Sequence, residues 1–348
     1  MNPDPLTLAC PRPLRHGTVQ MAHGGGGRLM KELIEGLFLP ALGTDPAGLH
    51  DSAVVEAGGA RLAFTTDGFV VQPRVFPGGD LGELAVYGTV NDLAMAGAMP
   101  LALSTAFILE EGLPLDELAR LVASMKAAAD HCGVRLVTGD TKVVDRGKAD
   151  DLFITTAGIG LIPAGLDIHP RRVQPGDAVL VSGDLGRHGI AVMSVREGLA
   201  FETPVRSDCG PVHHLVRALT EAGLDLHCLR DPTRGGLASV LNEIATSAGV
   251  AIEAVEAAVP VDEAVVTACE ILGLDPLYVA CEGRLVAFLP EGQAEGALAL
   301  LRAFPEGEKA ALIGRVLPGP AGRVTVRTSL GTARLLDLLS GEQLPRIC

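Results

Sequence analysis

Segments with the hydrophobic period of a strand alternate with segments that have the period of a helix through the first half of the chain. Arg61–Thr66 alternates like a strand, and 81–98 has the pattern of a helix that ends before Pro100. Residues 101–108 again have the pattern of a strand, and Pro114 then opens a second amphipathic helix. Two further strands are predicted at 134–138 and 153–159. This alternation predicts a mixed α/β (α+β) domain.

A second α/β domain is predicted after a proline-containing, weakly periodic connection at 163–175. Its helices are expected to group on one side of a sheet, whose strands are predicted at 178–181, 251–255, 285–289, 311–316 and 324–328. After residue 339 the periodicity is lost, which is typical of a mobile tail. The predicted organisation is an N-terminal arm (1–50), a first domain (51–165), a second domain (166–335) and a tail (336–348).

The composition limits what the chain can bind. Its 348 residues suffice for two domains with substantial cores, and its formal net charge of −14 argues against nucleic acid or an anionic membrane as a partner. No apolar run approaches the length of a membrane span, and no apolar segment follows Arg12 and Arg15, so no export signal is expected. The seven cysteines form no CxxC pair, which argues against a zinc site or a disulfide framework. The cytoplasm is the expected compartment.

Four aspartates are predicted at strand ends or beside glycine in the first domain, where a ligand can approach them. They are Asp51, Asp67, Asp92 and Asp140. Carboxylates that converge on one edge of a sheet repel each other unless cations lie between them, and Mg²⁺ combines readily with carboxylate and phosphate oxygens. Each aspartate taken singly could instead cap a turn. The set of four favours a magnesium site.

Other segments could contact an anionic ligand. A run of four glycines, Gly24, Gly25, Gly26 and Gly27, precedes a predicted helix at 28–34. Such a run permits close approach of an anion to the backbone, although it is also typical of a flexible linker. Lys142 could face a phosphate or be a solvated surface group. Asp231–Gly236 could hold an anion or simply start a helix, and Glu282, beside a glycine, is a candidate close-approach carboxylate.

The last residue of the sequence, Cys348, is the candidate nucleophile. A thiol on a mobile tail can visit more than one active site, and its reactive form is the thiolate. An adjacent carboxylate would oppose ionisation of the thiol, so a basic neighbour such as Arg346 would help. Taken alone, a cysteine in this position is at least as consistent with an exposed tail that has no function.

Several runs closely resemble the HypE family of hydrogenase maturation proteins. They are TDGFVVQP (66–73), FPGGDLG (76–82), GTVNDLA (88–94), ILEEGLP (108–114), VTGDTKVV (137–144), DPTRGG (231–236) and PRIC (345–348). The resemblance extends from His23 to Cys348. TDG, NDLA and GDT occur in looser form in the wider superfamily of aminoimidazole ribonucleotide synthetase, selenophosphate synthetase and thiamine-monophosphate kinase, whereas FPGGD, GDTKVV and PRIC are more particular to HypE.

This resemblance implies an ATP-dependent dehydration. A partner, HypF, would place a carbamoyl group on Cys348, and ATP would phosphorylate the carbamoyl oxygen. Loss of phosphate would leave a thiocyanate, whose cyano group passes to iron on a HypC–HypD complex and then to the nickel–iron hydrogenase centre. The implied fold is a two-domain, synthetase-like homodimer in which the first-domain sheets of two copies close into a barrel. ATP would bind between the domains, near the dimer contact.

Residue roles follow from the same resemblance. Glu282 is the candidate base, and Lys142 would stabilise the reacting oxygen. Mg²⁺ would be held by Asp51, Asp67, Asp92 and Asp140. ATP would contact the glycine run and Asp67, Asn91, Gly139 and Thr141.

Three positions depart from the family pattern, and two other functions stay open. His50 stands where many relatives carry a second acid, Arg187 where many carry Asp, and the glycine run lacks the usual serine. One alternative is a small-molecule kinase or synthetase of the same superfamily, such as selenophosphate synthetase, but Cys10 lacks the surroundings expected of its reactive cysteine. The other is a non-catalytic thiol carrier that binds ATP as a structural ligand.

Overall fold

The computed structural model describes residues 16–43, 49–199, 205–341 and 347–348. Cys10 and Arg346 lie outside the described residues. The N-terminal arm forms short helical segments, namely a 3-10 helix (Met21–Gly24), α1 (Arg28–Leu33), a π-helix (Ile34–Phe38) and α2 (Leu39–Leu42). Each helix among the described residues is too short or too polar to serve as a membrane span.

In the described part of the first domain, five strands form a mixed sheet. They are β1 (Ala53–Ala57), β2 (Ala60–Phe69), β5 (Met99–Glu110), β6 (Arg135–Val144) and β7 (Leu152–Ile162), in the order β1-β2-β7-β5-β6. A small hairpin, β3 (Val75–Phe76) and β4 (Gly79–Asp80), leads into helix α3 (Leu81–Met95). Helices α3 and α4 (Leu115–Cys132) cover one face of this sheet.

Helix α3 starts where it does because Asp80 caps it. The Asp80 carboxylate accepts from the backbone N–H groups of Gly82 and Glu83 at 2.8 and 3.0 Å, and from the Ser124 hydroxyl of α4 at 2.6 Å. The helix is buried on nearly all sides, and its last turn packs into the core of the second domain through Met95. It therefore fixes the position of the second domain relative to the first.

In the second domain, the described residues form a sheet of seven strands. These are β8 (Asp177–Val181), β9 (Cys228–Arg230), β10 (Ala251–Val255), β11 (Val286–Pro290), β12 (Ala311–Leu317), β13 (Arg323–Arg327) and β14 (Ala333–Leu335), in the order β14-β13-β10-β12-β8-β11-β9. Its helices are α5 (Arg187–Arg196), α6 (His213–Glu221), α7 (Gly236–Ala248), α8 (Glu263–Leu272) and α9 (Ala294–Leu301). The predicted mixed α/β class is confirmed for both domains.

The prediction that the helices of the second domain group on one side of its sheet is wrong. Along β8, Val179 and Val181 pack into a core shared with α7. The alternate residues Ala178 and Leu180 pack into another core, shared with α6 and α9. Since successive side chains of a strand point to opposite faces, helices cover both faces of this sheet.

The face of the first sheet that α3 and α4 leave uncovered, here called the open face, is apolar. Phe64 lies opposite Ile159, and Leu161 lies opposite both Leu62 and Met99, so these side chains form one continuous stripe. Phe64, Ile159, Leu161 and Met99 are 45, 39, 40 and 52% exposed. A contiguous apolar surface of this kind is unusual on a monomer and indicates a protein interface.

Two predicted strand ends differ from the observed ones, with consequences for the acidic residues. Strands β2 and β6 continue to Phe69 and Val144, past the predicted ends at residues 66 and 138. Asp67 and Asp140 therefore lie inside strands, and Asp92 lies inside α3. Inside a strand the direction of a side chain is set by alternation, so Asp67 and Asp140 need not face the same way.

Candidate active site

A cavity of about 360 Å³ lies between the two domains. The first domain contributes Asp51, Asp67 and Asp92 to its wall, and the second contributes Arg230, Asp231, Arg234 and Glu282. Gly26 of the arm and Cys348 of the tail also line this cavity. A second cavity of about 490 Å³ adjoins it and has more apolar walls, including Met30, Ile34, Leu49 and Ile244. Spaces of this size accommodate a small-molecule ligand.

Three carboxylates meet at one end of the smaller cavity. Each of Asp51, Asp92 and Asp231 places a carboxylate oxygen within 4.8 Å of the other two. Asp51 comes from the turn before β1, Asp92 from α3, and Asp231 from the end of β9. We call this group the acidic cluster. It forms only because the two domains are docked, since Asp231 belongs to the second domain.

Burial penalises the charged forms of these carboxyl groups. It raises the pKa of Asp51 and of Asp92 well above the ordinary value, and each is raised further by neighbouring carboxylates, while Arg230 opposes the shift at Asp51. For Asp231, burial raises the pKa to about 6. Oδ2 of Asp51 has no hydrogen-bond partner among the described residues. A divalent cation would supply the charge and the contacts that this cluster lacks, so the cluster fits Mg²⁺.

Two arginines partly compensate the negative charge. Nε of Arg230 lies 2.8 Å from Oδ1 of Asp51, and its Nη2 lies 2.6 Å from Oε2 of Glu243. Arg234 approaches Asp67 on β2 at 3.6 Å. Burial nevertheless raises the pKa of Asp67, because the attraction of Arg234 does not offset its desolvation. Arg234 also lines the cavity, where its positive charge can attract a further anion.

The glycine run contributes through its third and fourth members. Gly26 has a φ of +73°, and a side chain there would collide with the backbone of Arg234. Its carbonyl accepts from the Ser239 hydroxyl at 2.7 Å, which ties the arm to α7. A side chain at Gly27 would meet the carbonyl of Leu339, whereas Gly24 and Gly25 have open space around them. Packing therefore requires glycine at the end of the run.

Cys348 reaches the cavity although it is the last residue of the predicted tail. Its backbone carbonyl accepts from the N–H of Val70 at 3.2 Å, and the side chain of Ile347 is only 3% exposed and packs into the core of the first domain. Burial raises the pKa of the Cys348 thiol, and Arg234 is the neighbour that opposes this shift. Arg234 thus occupies the role that was expected of Arg346 from the sequence.

Glu282 is a buried carboxyl group that also faces this space. It is 3% exposed, and its Oε1 has no hydrogen-bond partner among the described residues. Burial first, and then Asp231 and Asp67, raise its pKa well above the ordinary value. A buried carboxyl group that faces a cavity and has a raised pKa is a candidate for proton exchange with a bound ligand.

Asn91, predicted to contact a nucleotide, is occupied in joining the domains. Its Nδ2 donates to the carbonyls of Gly210 and Glu282 at 3.0 and 3.3 Å, and its Oδ1 accepts from the N–H of Val212 at 2.8 Å. Both amide hydrogens and the carbonyl oxygen are thus engaged by the backbone of the second domain. In this arrangement Asn91 positions Glu282.

The structure does not bring Asp140 to the acidic cluster of the same copy. Asp140 lies opposite Ala106 on β5, and the side chains at this position of the sheet point to the open face. Asp67 lies one position further along the sheet, where the side chains point to the helices. Strands β2 and β6 are separated by two others, or roughly 14 Å at the usual strand spacing. Asp140 instead pairs with Lys142 at 2.9 Å, with both side chains exposed. Gly139 and Thr141 lie on the same strand.

Asp231 takes the place in the cluster that was predicted for Asp140. The DPTRGG run was singled out as a site for an anion or a helix start, but not as a source of a metal ligand. The signal that could have found it is the position of Asp231 directly after a strand, the same criterion that had selected the other aspartates. No sequence pattern indicated that Arg230 would pair with Asp51 or that Arg234 would lie beside Asp67.

Comparisons with known proteins agree with this architecture. Residues 49–162 match the model of the AIR synthase related protein, N-terminal domain, and residues 174–327 that of the C-terminal domain. Carbamoyl dehydratase HypE of Azotobacter vinelandii is 52% identical over 336 residues, covering 96% of this chain and 98% of that protein. A crystal structure of HypE in complex with ATP superposes with a TM-score of 0.81 at 50% identity, covering 95% of this chain and 100% of that one. A HypE–HypF complex matches with a TM-score of 0.83 at 45% identity, covering 88% of this chain and 99% of the other.

Proposed function

The chain belongs to the family of HypE carbamoyl dehydratases, enzymes of hydrogenase maturation, and we propose that it performs their reaction on a carbamoyl group carried by Cys348. The observation that carries this proposal is the docking of Cys348 beside Glu282 in the cavity that holds the acidic cluster. ATP is the cosubstrate, as the relative with bound ATP supports. The substrate is then the thiocarbamate that this thiol forms.

The reaction balances without another reactant. The carbamoyl oxygen attacks the γ-phosphorus of ATP and releases ADP, and the nitrogen gives up its two protons as the carbon–oxygen bond breaks. The products are a thiocyanate on sulfur and inorganic phosphate, which contains the former carbamoyl oxygen. Phosphorylation is needed because an amide oxygen is otherwise a poor leaving group.

The residues of the cavity divide this work. Glu282 accepts a proton from the carbamoyl nitrogen, and its raised pKa makes the ionised carboxylate a stronger base than an ordinary glutamate. Asp51, Asp92 and Asp231 would hold Mg²⁺, with Asp67 nearby; the ion would neutralise charge on the transferred phosphoryl group. Arg234 offers a positive charge beside the thiol.

The decisive experiment follows the carbamoyl oxygen. The chain carbamoylated on Cys348 with heavy-oxygen-labelled carbamoyl should convert one ATP per chain, lose the mass of one water from the tail peptide, and transfer the label to inorganic phosphate. Phosphate without label would indicate simple ATP hydrolysis. An unchanged tail peptide with no phosphate would favour the non-catalytic carrier, and phosphorylation of an added small molecule would favour another kinase or synthetase of the superfamily.

The affinity for Mg²⁺ should fall as the pH is lowered through about 6. A cation binds the ionised carboxylates, and Asp231 has its pKa raised to about 6, so protons compete with the metal below that pH. Calorimetry of Mg²⁺ binding at several pH values, with the nucleotide-free chain, measures the effect. Asp231→Asn should weaken binding at least tenfold at pH 7.5, and Asp140→Asn should not. Equal losses in the two variants would contradict the assignment of the cluster.

We also propose that a second copy covers the open face, which supports a homodimer with a closed barrel. The apolar stripe through Phe64 and Ile159 supports this, and Lys142 and Asp140 lie on the same face. They could then act only in the cavity of the other copy. Lys142→Ala and Cys348→Ser chains, each inactive alone, should regain activity when mixed, and sedimentation should give twice the chain mass. Monomers, or mixtures without activity, would contradict this.

The partners follow from the same function. HypF is the proposed carbamoyl donor, as the structure of a HypE–HypF complex supports. A HypC–HypD complex is the proposed acceptor of the cyano group, which infrared spectra of its iron would detect after mixing with the cyanated chain. The cytoplasmic location stays a prediction.

A further inference from the structure

A buried imidazole holds the penultimate residue of the tail. His188, near the start of α5, is fully buried, and its Nε2 lies 2.7 Å from the carbonyl oxygen of Ile347. A carbonyl oxygen can only accept, so Nε2 carries the hydrogen. Nδ1 lies 2.9 Å from the hydroxyl of Ser207, which itself accepts from the N–H of Cys209 at 2.9 Å. Ser207 therefore fixes the neutral tautomer that donates to the tail.

The neighbouring residue links this imidazole to the catalytic carboxyl group. Oδ1 of Asp208 accepts from the backbone N–H of His188 at 2.8 Å. Its Oδ2 accepts from the N–H groups of Glu282 and Gly283, both at 3.0 Å. Gly283 has no room for a side chain because the backbone carbonyl of Asp208 lies against it. The side chains of Ser207 and Asp208 thus position both the group that holds the tail and the proposed base.

The tail is held at three points of different kinds. The side chain of Ile347 is buried in the core of the first domain, the carbonyl of Cys348 accepts from Val70, and the carbonyl of Ile347 accepts from His188. Phe76 packs edge-on against the His188 ring, with centroids 5.2 Å apart. If the tail left, the buried Nε2–H would lose this acceptor, which carries a free-energy penalty. The docked state is favoured accordingly.

We propose that His188 is a positioning residue that latches the carrier tail, so that Cys348 lies beside Glu282 during dehydration and leaves when the latch opens. This inference rests on the proposed function, because a latch is useful only if the same thiol must be loaded outside the cavity. Without the hydrogen bond from His188, Cys348 would still be loaded with the carbamoyl group, but the tail would spend less time in the cavity. His188 acts through the tail and contacts neither the carbamoyl group nor ATP.

Two variants separate the latch from simple packing. His188→Phe keeps a ring but removes the donor, whereas His188→Gln keeps a donor of similar reach. The alkylation rate of Cys348 by iodoacetamide, followed by peptide mass spectrometry, should rise about tenfold in His188→Phe, the effect of losing one hydrogen bond. Dehydration of the pre-carbamoylated chain should slow by a similar factor, while loading by HypF is unchanged or faster. His188→Gln should stay close to the parent chain.

A matched control and a second variant keep the test decisive. His214→Phe changes another partly buried histidine, one that pairs with Glu306 away from the cavity, and should alter none of these rates. Ser207→Ala frees the tautomer without changing the ring, so it tests the latch if His188→Phe does not fold. Unchanged alkylation in both His188→Phe and Ser207→Ala would overturn the latch. Failure of the parent chain to dehydrate its carbamoyl group would instead overturn the proposed function. The alkylation rates of Cys348 would still show whether His188 holds the tail in the cavity.

Discussion

Replacing Cys348 with Ser should abolish the dehydration completely while leaving ATP binding within about twofold of the parent chain. The serine hydroxyl is far less nucleophilic than a thiolate at neutral pH, so it should not take up the carbamoyl group. The docking contacts of the tail involve the backbone of Cys348 and the side chain of Ile347, and these remain. Mass spectrometry of the tail peptide after incubation with HypF, carbamoyl phosphate and ATP measures the outcome.

The matched control is Cys209→Ser, because Cys209 is also partly exposed near the same core cluster. Burial and the nearby carboxylates, Glu282 foremost among them, raise the pKa of Cys209 well above its ordinary value, so this thiol is not expected to react. Cys209→Ser should dehydrate at nearly the parental rate. If dehydration survived in Cys348→Ser but were lost in Cys209→Ser, the carrier would be Cys209 and the assignment of Cys348 would be wrong.

Much of the fold and part of the site could be predicted from the sequence because they depend on local patterns. Strand and helix periods locate most elements, and an aspartate beside glycine indicates a place where a ligand can approach. Asp67, which follows a predicted strand and precedes Gly68, was selected on such grounds, and the structure brings it together with Asp51, Asp92, Glu282 and Cys348 in one cavity.

The rest could not be predicted because it depends on distances along strands and on domain docking. Strand β6 continues past its predicted end at residue 138 to Val144, which places Asp140 inside the strand, where the alternation of side chains directs it to the open face. Asp231 joins the cluster only after the second domain docks against α3. His188 meets the tail only after both domains and the tail are in place. No sequence period reports such contacts between distant segments.

Chemistry and stability should respond in opposite directions when Glu282 is replaced with Gln. The variant keeps the shape of the side chain but has no basic oxygen, so single-turnover dehydration of the carbamoylated chain should slow by roughly 10²–10⁴-fold. In the parent chain the rate should rise with pH through a value above the ordinary 4.5, since the base must be ionised and its folded pKa is raised. Rapid-quench measurements from pH 5 to 9 should show this rise in the parent and not in the variant.

The same raised pKa predicts a gain in stability. In the folded chain burial penalises the ionised form of Glu282. Above its folded pKa this group therefore lowers the free energy of unfolding. The loss is about 1.4 kcal/mol for each unit by which the folded pKa exceeds the unfolded one. That cost shrinks as the pH falls below the folded pKa, vanishes below the unfolded value near 4.5, and is absent in Glu282→Gln. Without metal and nucleotide, the variant should therefore melt at a higher temperature than the parent at pH 8, with a smaller difference at pH 5. Glu243→Gln, which loses its ion pair with Arg230, should show no such gain and should retain most of the activity. A stable Glu282→Gln chain with parental activity would remove Glu282 from the mechanism.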